Sequence, residues 1–147
     1  MISMNARRAG RPGVAAERDA YGQEIWSCYK GISPFEIIER DDGFVDIGSA
    51  FPYFQAFENW PQHEQEAIHL ARGPVLDIGC GAGRVALYLQ GKGHRVVAID
   101  NSPMAVKVTR LRGVKWLVFY LSTAFTRSRK SSARLFCMGT TLDCWAV

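Results

Sequence analysis

The sequence predicts an α/β fold built on a doubly wound parallel sheet, with a helical segment ahead of it. Two apolar runs, Val75-Leu76-Asp77-Ile78 and Val96-Val97-Ala98-Ile99-Asp100, have the composition of buried strands and carry an acid at or near their ends. One helix length separates them and a second helical run follows the latter, giving the β-α-β-α alternation of a parallel sheet. Between the first strand and its helix stands Gly79-Cys80-Gly81-Ala82-Gly83. Glycine at every second position lets the backbone turn sharply and approach a ligand closely.

In chain order, residues 1–20 carry Arg7, Arg8, Arg11 and Arg18 with no apolar stretch, which predicts a flexible basic tail and not a secretory signal. Residues 21–73 read as a helical and aromatic lid segment. It holds a short helix over 21–29 and another over 34–40 with Phe35, Ile37 and Ile38 on its apolar side. A turn at Asp41-Asp42-Gly43 and an irregular aromatic stretch over 44–60 come next. Pro61 opens a helix expected to reach about residue 72, with Ala67, Ile68 and Ala71 toward the core, before Gly73 stops it. The cofactor-type core spans 74–121, with strands over 75–78 and 95–99 and helices over 82–90 and 104–112. Ser102-Pro103 starts the last helix, Met104, Val108 and Leu111 form its buried stripe, and Gly113 ends it. Residues 122–147 are basic, aperiodic and atypical of such a core.

The glycine spacing separates two kinds of cofactor. A dinucleotide fingerprint needs G-x-G-x-x-G, whereas here the third glycine comes one residue early and Arg84 stands where that fingerprint wants glycine or alanine. An NAD-linked oxidoreductase is therefore disfavoured. The run from Val75 to Arg84 resembles motif I of the class I S-adenosylmethionine-dependent methyltransferases, hydrophobic-hydrophobic-D-x-G-x-G-x-G, and Asp100-Asn101-Ser102-Pro103 is similar to the motif that follows. The resemblance is specific over 75–104 and looser over 21–73. It implies a Rossmann-like sheet, S-adenosyl-L-methionine as cofactor and methyl transfer to an acceptor. It also implies that Gly79, Gly81 and Gly83 pass under the methionine part, that Asp77 helps to hold the amino group, that Asp100 binds the ribose and that Asn101 lies beside the adenine. Tyr21, where the resemblance begins, joins this cofactor set. So does Cys80, a small spacer in the loop with no sequence-adjacent base to make it a nucleophile.

The resemblance further implies that the segment before motif I shapes the acceptor pocket, which nominates Tyr21, Tyr29, Tyr53, Phe54 and Trp60; ordinary aromatic packing is the competing reading. No catalytic base is named, because orienting and desolvating the acceptor is sufficient for several enzymes of this kind. A small molecule is the expected acceptor.

Charge is uneven along the chain: residues 1–18 carry net +3, 19–106 net −6 and 107–147 net +7. The C-terminal cluster Arg127, Arg129, Lys130 and Arg134 lacks a nucleic-acid motif and reads as a solvated segment. No run is long enough for a helical membrane span. Cys28, Cys80, Cys137 and Cys144 show no paired or zinc spacing, and His63, His69 and His94 no metal spacing, which fits reduced thiols, no metal and a cytoplasmic setting.

The family pattern calls for an acidic or Asn-containing motif after a fourth strand, and residues 116–147 do not supply it. Read one base out of phase, codons compatible with residues 136–145 give Leu-Tyr-Gly-Asn-Asn-Phe-Gly-Leu-Leu-Gly, which is similar to that motif in one methyltransferase subgroup. A truncated or frameshifted domain is thus expected, with an inactive remnant as the alternative to an active enzyme.

Overall fold

The computed structural model describes residues 18–119 and 134–136. Its centre is a four-stranded parallel sheet made of β3 (Val75–Ile78), β4 (Val96–Asp100), β5 (Leu117–Phe119) and β6 (Arg134–Phe136), in the order β5-β4-β3-β6. Val75 pairs with Val96 and Ile78 with Ile99, so β3 and β4 end together at one edge. The chain steps outward from β3 through β4 to β5 and returns on the other side of β3 with β6. That reversal of direction leaves a crevice at the carboxyl ends of the strands, where ligands bind in open α/β sheets. β6 lies inside the stretch that the sequence reads as an atypical tail, and it pairs in register with β3 from Val75↔Arg134 to Asp77↔Phe136.

Helix α3 (Arg84–Gly91) connects β3 to β4, and α4 (Pro103–Leu111) connects β4 to β5. Val75, Val85, Ala86, Leu89, Val96 and Ala98 form the heart of the core, sealed by Trp60, Ile68 and Ala71 of the preceding segment. The indole N–H of Trp60 donates to the Gln55 carbonyl at 3.0 Å, its ring lies against Tyr88, and the Arg84 guanidinium caps it at 4.8 Å while pairing with Glu64 at 2.7 Å. Helix α2 (Gln62–Ile68) is shorter than expected: Arg72 turns back to donate to the His69 and Ala71 carbonyls, closing the end early. The buried face of α4 also differs from the expected stripe, because Leu111 is exposed and Ala105, Val106, Val108 and Thr109 point inward.

The helix expected over 34–40 is instead a strand. β1 (Glu36–Glu39) pairs antiparallel with β2 (Val45–Gly48) around the Asp41-Asp42-Gly43 turn. Asp-Gly is itself a strong hairpin signal, and paired β-branched isoleucines favour strand over helix. Gly43 takes the left-handed φ of +83° that this turn requires, and Asp42 accepts from the Phe44 N–H at 3.1 Å.

Helix α1 (Ala20–Tyr29) packs on α4, and Asp19 fixes the crossing. Its carboxylate accepts from the Gly22 N–H at 2.9 Å, the Ser102 hydroxyl at 2.8 Å and the Met104 N–H at 3.1 Å, so one buried acid serves the first turns of two helices. Gly22 permits this approach, since a Cβ there would lie 2.1 Å from the Asp19 carboxylate. Asp19 and Ala20 therefore belong to the folded unit and not to the expected tail, whose residues 1–17 lie outside the described residues. Asp19→Ala is expected to lower the unfolding free energy by about 3 kcal/mol, read as a reduced urea midpoint, because it strips two buried donors and a part-buried one of their acceptor.

Candidate functional site

Strand β3 delivers the glycine loop to the carboxyl edge of the sheet, and β4 delivers the acid that holds it. Gly79, Gly81 and Gly83 adopt φ of +70°, +53° and +79°. The Gly79 and Cys80 N–H groups donate to the Ile99 carbonyl at 2.9 and 3.1 Å. The Asp100 carboxylate accepts from the Gly81 N–H and the Ser102 N–H, both at 2.8 Å, so a single side chain joins the loop to the start of α4. A carboxylate has about four acceptor positions, which leaves Asp100 capacity for hydroxyl groups of a ligand.

The three glycines have different duties. A Cβ on Gly81 would lie 2.8 Å from the Tyr21 hydroxyl, and one on Gly83 would lie 2.8 Å from Thr109 Cγ2. A Cβ on Gly79 would meet no atom within 4 Å. Gly81 and Gly83 are therefore packed against protein, and Gly79 borders open space that a ligand could enter.

Asp77 is buried behind the loop with its Oδ2 unpartnered. Burial, and then the charge of Asp100, push its carboxyl up to about 7, against the pull of the Ala86 N–H and Arg84. Burial also raises Asp100, opposed by the N–H groups of Ser102, Gly81 and Asn101. Both acids are thus reluctant to ionise beside an open backbone edge, and a cation bound there would favour their ionised forms. Burial likewise drives the Cys80 thiol far above its ordinary range, with Asp77 and Asp100 adding to it, so the thiol is unreactive. Tyr21 rests its hydroxyl over Gly81 and meets Tyr53 edge to face at 5.8 Å between centroids. The structure thus gathers Tyr21, Asp77, Gly79, Cys80, Gly81 and Asp100, leaves Asn101 exposed at the rim, and turns Gly83 toward the core.

Of the other aromatics named from sequence, Trp60 is core, Tyr29 stacks on Trp26, and Phe54 lies beneath the Arg112 guanidinium at 4.9 Å. Sequence reasoning missed Thr109, whose hydroxyl donates to the Gly81 carbonyl at 2.6 Å, and Arg112, which donates to the Ala82 carbonyl. Their signal was present: Thr109 lies four residues beyond Ala105 and Arg112 four beyond Val108, so they continue the buried face of α4, where a polar side chain needs a partner. Among the described residues no cluster of His, Cys, Asp and Glu could hold a metal, and no helix is long and apolar enough to cross a membrane.

The raised Asp77 carboxyl has a definite consequence for stability. Between its ordinary value of 3.8 and about 7 the unfolded chain is ionised there while the folded one keeps the proton. Stability is then highest below the lower value and falls as pH rises to the upper one, by at most about 4 kcal/mol. Denaturation at pH 5 and pH 8 is expected to show about 2 to 3 kcal/mol of this loss in the wild type and a smaller one in Asp77→Asn; equal pH slopes would mean that Asp77 ionises normally.

A family model described as a methyltransferase domain matches residues 75–140. The chain is 34% identical over 84 residues to the 2-heptyl-1-hydroxyquinolin-4(1H)-one methyltransferase of Mycobacteroides abscessus, covering 57% of this chain and 33% of that protein. It is 49% identical over 43 residues to ribosomal RNA small subunit methyltransferase C of a Marinomonas species, covering 29% and 12%. A crystal structure of a SAM-dependent methyltransferase from Bacteroides fragilis in complex with S-adenosyl-L-homocysteine superposes with a TM-score of 0.67 at 34% identity, covering 72% of this chain and 44% of that one. The chain therefore spans less than half the length of these relatives. The glycine loop and its two acids fall within the residues that the methyltransferase-domain model matches, and the described core is similar to the class I S-adenosylmethionine-dependent methyltransferases.

Proposed function

We propose that this chain binds S-adenosyl-L-methionine at the glycine loop and directs its methyl group to a small-molecule acceptor. The observation that carries the reading is the loop itself: Gly79 borders open space, while Asp77 Oδ2 lies unpartnered behind it and Asp100 keeps free acceptor capacity beside it. In this arrangement Asp100 takes the ribose hydroxyls, Asn101 lies on the adenine side, and Asp77 offers negative charge to the ammonium of the methionine part. Gly79 admits the cofactor backbone, and Tyr21 with Cys80 closes the loop's inner surface. When bound, the cofactor supplies an electrophilic methyl on its sulfonium.

The chain's own residues contribute placement. Asp100 and the loop amides fix where the cofactor sits, and Tyr21, edge to face with Tyr53, rests its hydroxyl over Gly81. No acid or base is required of the protein where the acceptor's nucleophile is already competent. The quinolone relative matches 57% of this chain and the ribosomal RNA relative 29%; the longer likeness favours a small acceptor. Calorimetric titration of the 147-residue chain with S-adenosylmethionine and S-adenosylhomocysteine is expected to show micromolar binding, and NAD none. A folded chain that binds neither sulfur compound would leave the motif as ancestry only.

A further inference from the structure

Three parts of the chain meet at one side chain, Arg112, which follows α4. Its Nη1 donates to the Ala82 carbonyl of the glycine loop and, at 3.4 Å, to the Tyr53 carbonyl, while the guanidinium lies over the Phe54 ring at 4.9 Å. Burial lowers its pKa, opposed by Tyr29 and Cys28 at the end of α1, and among the described residues it forms no ion pair. A half-buried guanidinium without a carboxylate partner loses hydration that only its carbonyl and ring contacts offset. Favouring the C-terminal dipole of α4 does not require this burial, since Arg110 in the same turn is exposed.

The Ala82 carbonyl needs this donor. Helix α3 opens with the Leu87 N–H on the Gly83 carbonyl at 2.9 Å, and the Ala86 N–H, which would reach Ala82 in a helix one residue longer, is drawn by Asp77. Arg112 thereby completes a series: the Cys80 carbonyl is held by the Gly83 N–H at 2.6 Å, the Gly81 carbonyl by Thr109 at 2.6 Å, and the Ala82 carbonyl by Arg112. On the other side of the guanidinium, backbone hydrogen bonds are local, from the Tyr53 N–H to Ala50 and from the Gln55 N–H to Pro52. Residues 51–54 are thus joined to the loop through side chains, by Tyr21 against Tyr53 and by Arg112. Phe54 also lines a cavity of about 450 Å³ together with Cys28, Tyr29, Ile32 and Phe51.

We propose that Arg112 is a positioning residue that ties the glycine loop to the wall of this cavity, so that occupancy of the loop and the packing of residues 51–54 are set together. The ligand's identity rests on the cofactor reading above; the linkage rests on the contacts alone. Lysine keeps the charge and cannot hold two carbonyls while lying flat on a ring, so Arg112→Lys removes the tie with the least disturbance.

Hydrogen exchange of the full chain, read by mass spectrometry with and without S-adenosylhomocysteine, tests this. In the ligand-free Arg112→Lys chain, residues 79–83 and 50–56 are both expected to exchange about tenfold faster, with residues 96–99 unchanged. In the wild type the ligand is expected to slow both segments; in Arg112→Lys it slows 79–83 alone and binds about tenfold more weakly. Phe54→Leu keeps the hydrogen bonds and loses the ring, and is expected to remove the ligand's effect on 50–56 with little change in affinity; it carries the test if Arg112→Lys does not fold. Arg110→Lys should behave as wild type. A wild-type chain that binds no S-adenosylhomocysteine sinks the cofactor reading, and the ligand-free exchange still decides the linkage. Faster exchange in one segment only, equal loosening of 96–99, or ligand protection of both segments in Arg112→Lys as in the wild type overturns the proposal.

Discussion

Asp100→Ala is expected to weaken S-adenosylhomocysteine binding at least 100-fold, about 2.7 kcal/mol, while the chain stays folded. Two losses combine in this one substitution. In the proposed site the ribose hydroxyls lose their carboxylate acceptor. The loop also loses its clamp, because the Gly81 N–H at 2.8 Å and the Ser102 N–H at 2.8 Å have no other acceptor of comparable placement. The stability cost should be smaller than the cost to binding. Asp100 is buried and reluctant to ionise, so removing it relieves a desolvation penalty and also eases Asp77, whose carboxyl it pushes upward. Calorimetric titration against far-UV circular dichroism and a urea midpoint separates the two effects. An Asp100→Ala chain that binds as tightly as wild type would remove this acid from the cofactor site and with it the central support for the proposed function.

The contrast between what was legible in the sequence and what was not follows the range of the forces involved. Strand 75–78 was read to the residue, and β4 and α4 to within one, because a buried parallel strand needs an unbroken apolar run and a helix start needs a cap such as Ser102. Those are local requirements. The Asp77, Gly79, Gly81 and Asp100 grouping was equally legible, since strand ends at one edge of a parallel sheet are brought together by topology. What was lost depended on contacts distant in sequence. Asp19 reaches 83 residues to Ser102, and Thr109 reaches 28 residues back to the Gly81 carbonyl. Nothing in the neighbourhood of either residue announces its partner. The hairpin failure is different: Asp42-Gly43 did announce it, but the apolar spacing of Phe35, Ile37 and Ile38 fits a helix face nearly as well as a strand, and the exposure of the apolar side runs against the usual pattern. The sequence also reads Gly83 as part of the ligand cradle, and in the structure a Cβ there would meet Thr109 and Val114.

Gly83→Ala is expected to destabilise the chain by about 3 to 4 kcal/mol, and Gly79→Ala by only about 1 kcal/mol. Both positions have the left-handed φ that an L-residue resists, so both carry that strain. Only Gly83 adds a collision. Its new methyl would lie 2.8 Å from Thr109 Cγ2, 3.2 Å from Thr109 Oγ1 and 3.3 Å from Val114 Cγ2. Thr109 is fully buried and its hydroxyl is committed to the Gly81 carbonyl at 2.6 Å, so it cannot rotate aside without orphaning a carbonyl in the same loop. The methyl at Gly79 meets nothing within 4 Å in the protein and instead enters the open space where the cofactor is proposed to lie. The two substitutions should therefore separate in opposite senses: Gly83→Ala lowers the urea midpoint sharply, and whatever fraction stays folded has lost the loop shape. Gly79→Ala keeps most of the midpoint and loses affinity for S-adenosylhomocysteine by tenfold or more. Equal effects of both on the midpoint would mean that backbone strain alone matters at this loop. A Gly79→Ala chain with unchanged affinity would place the cofactor's path elsewhere along the crevice.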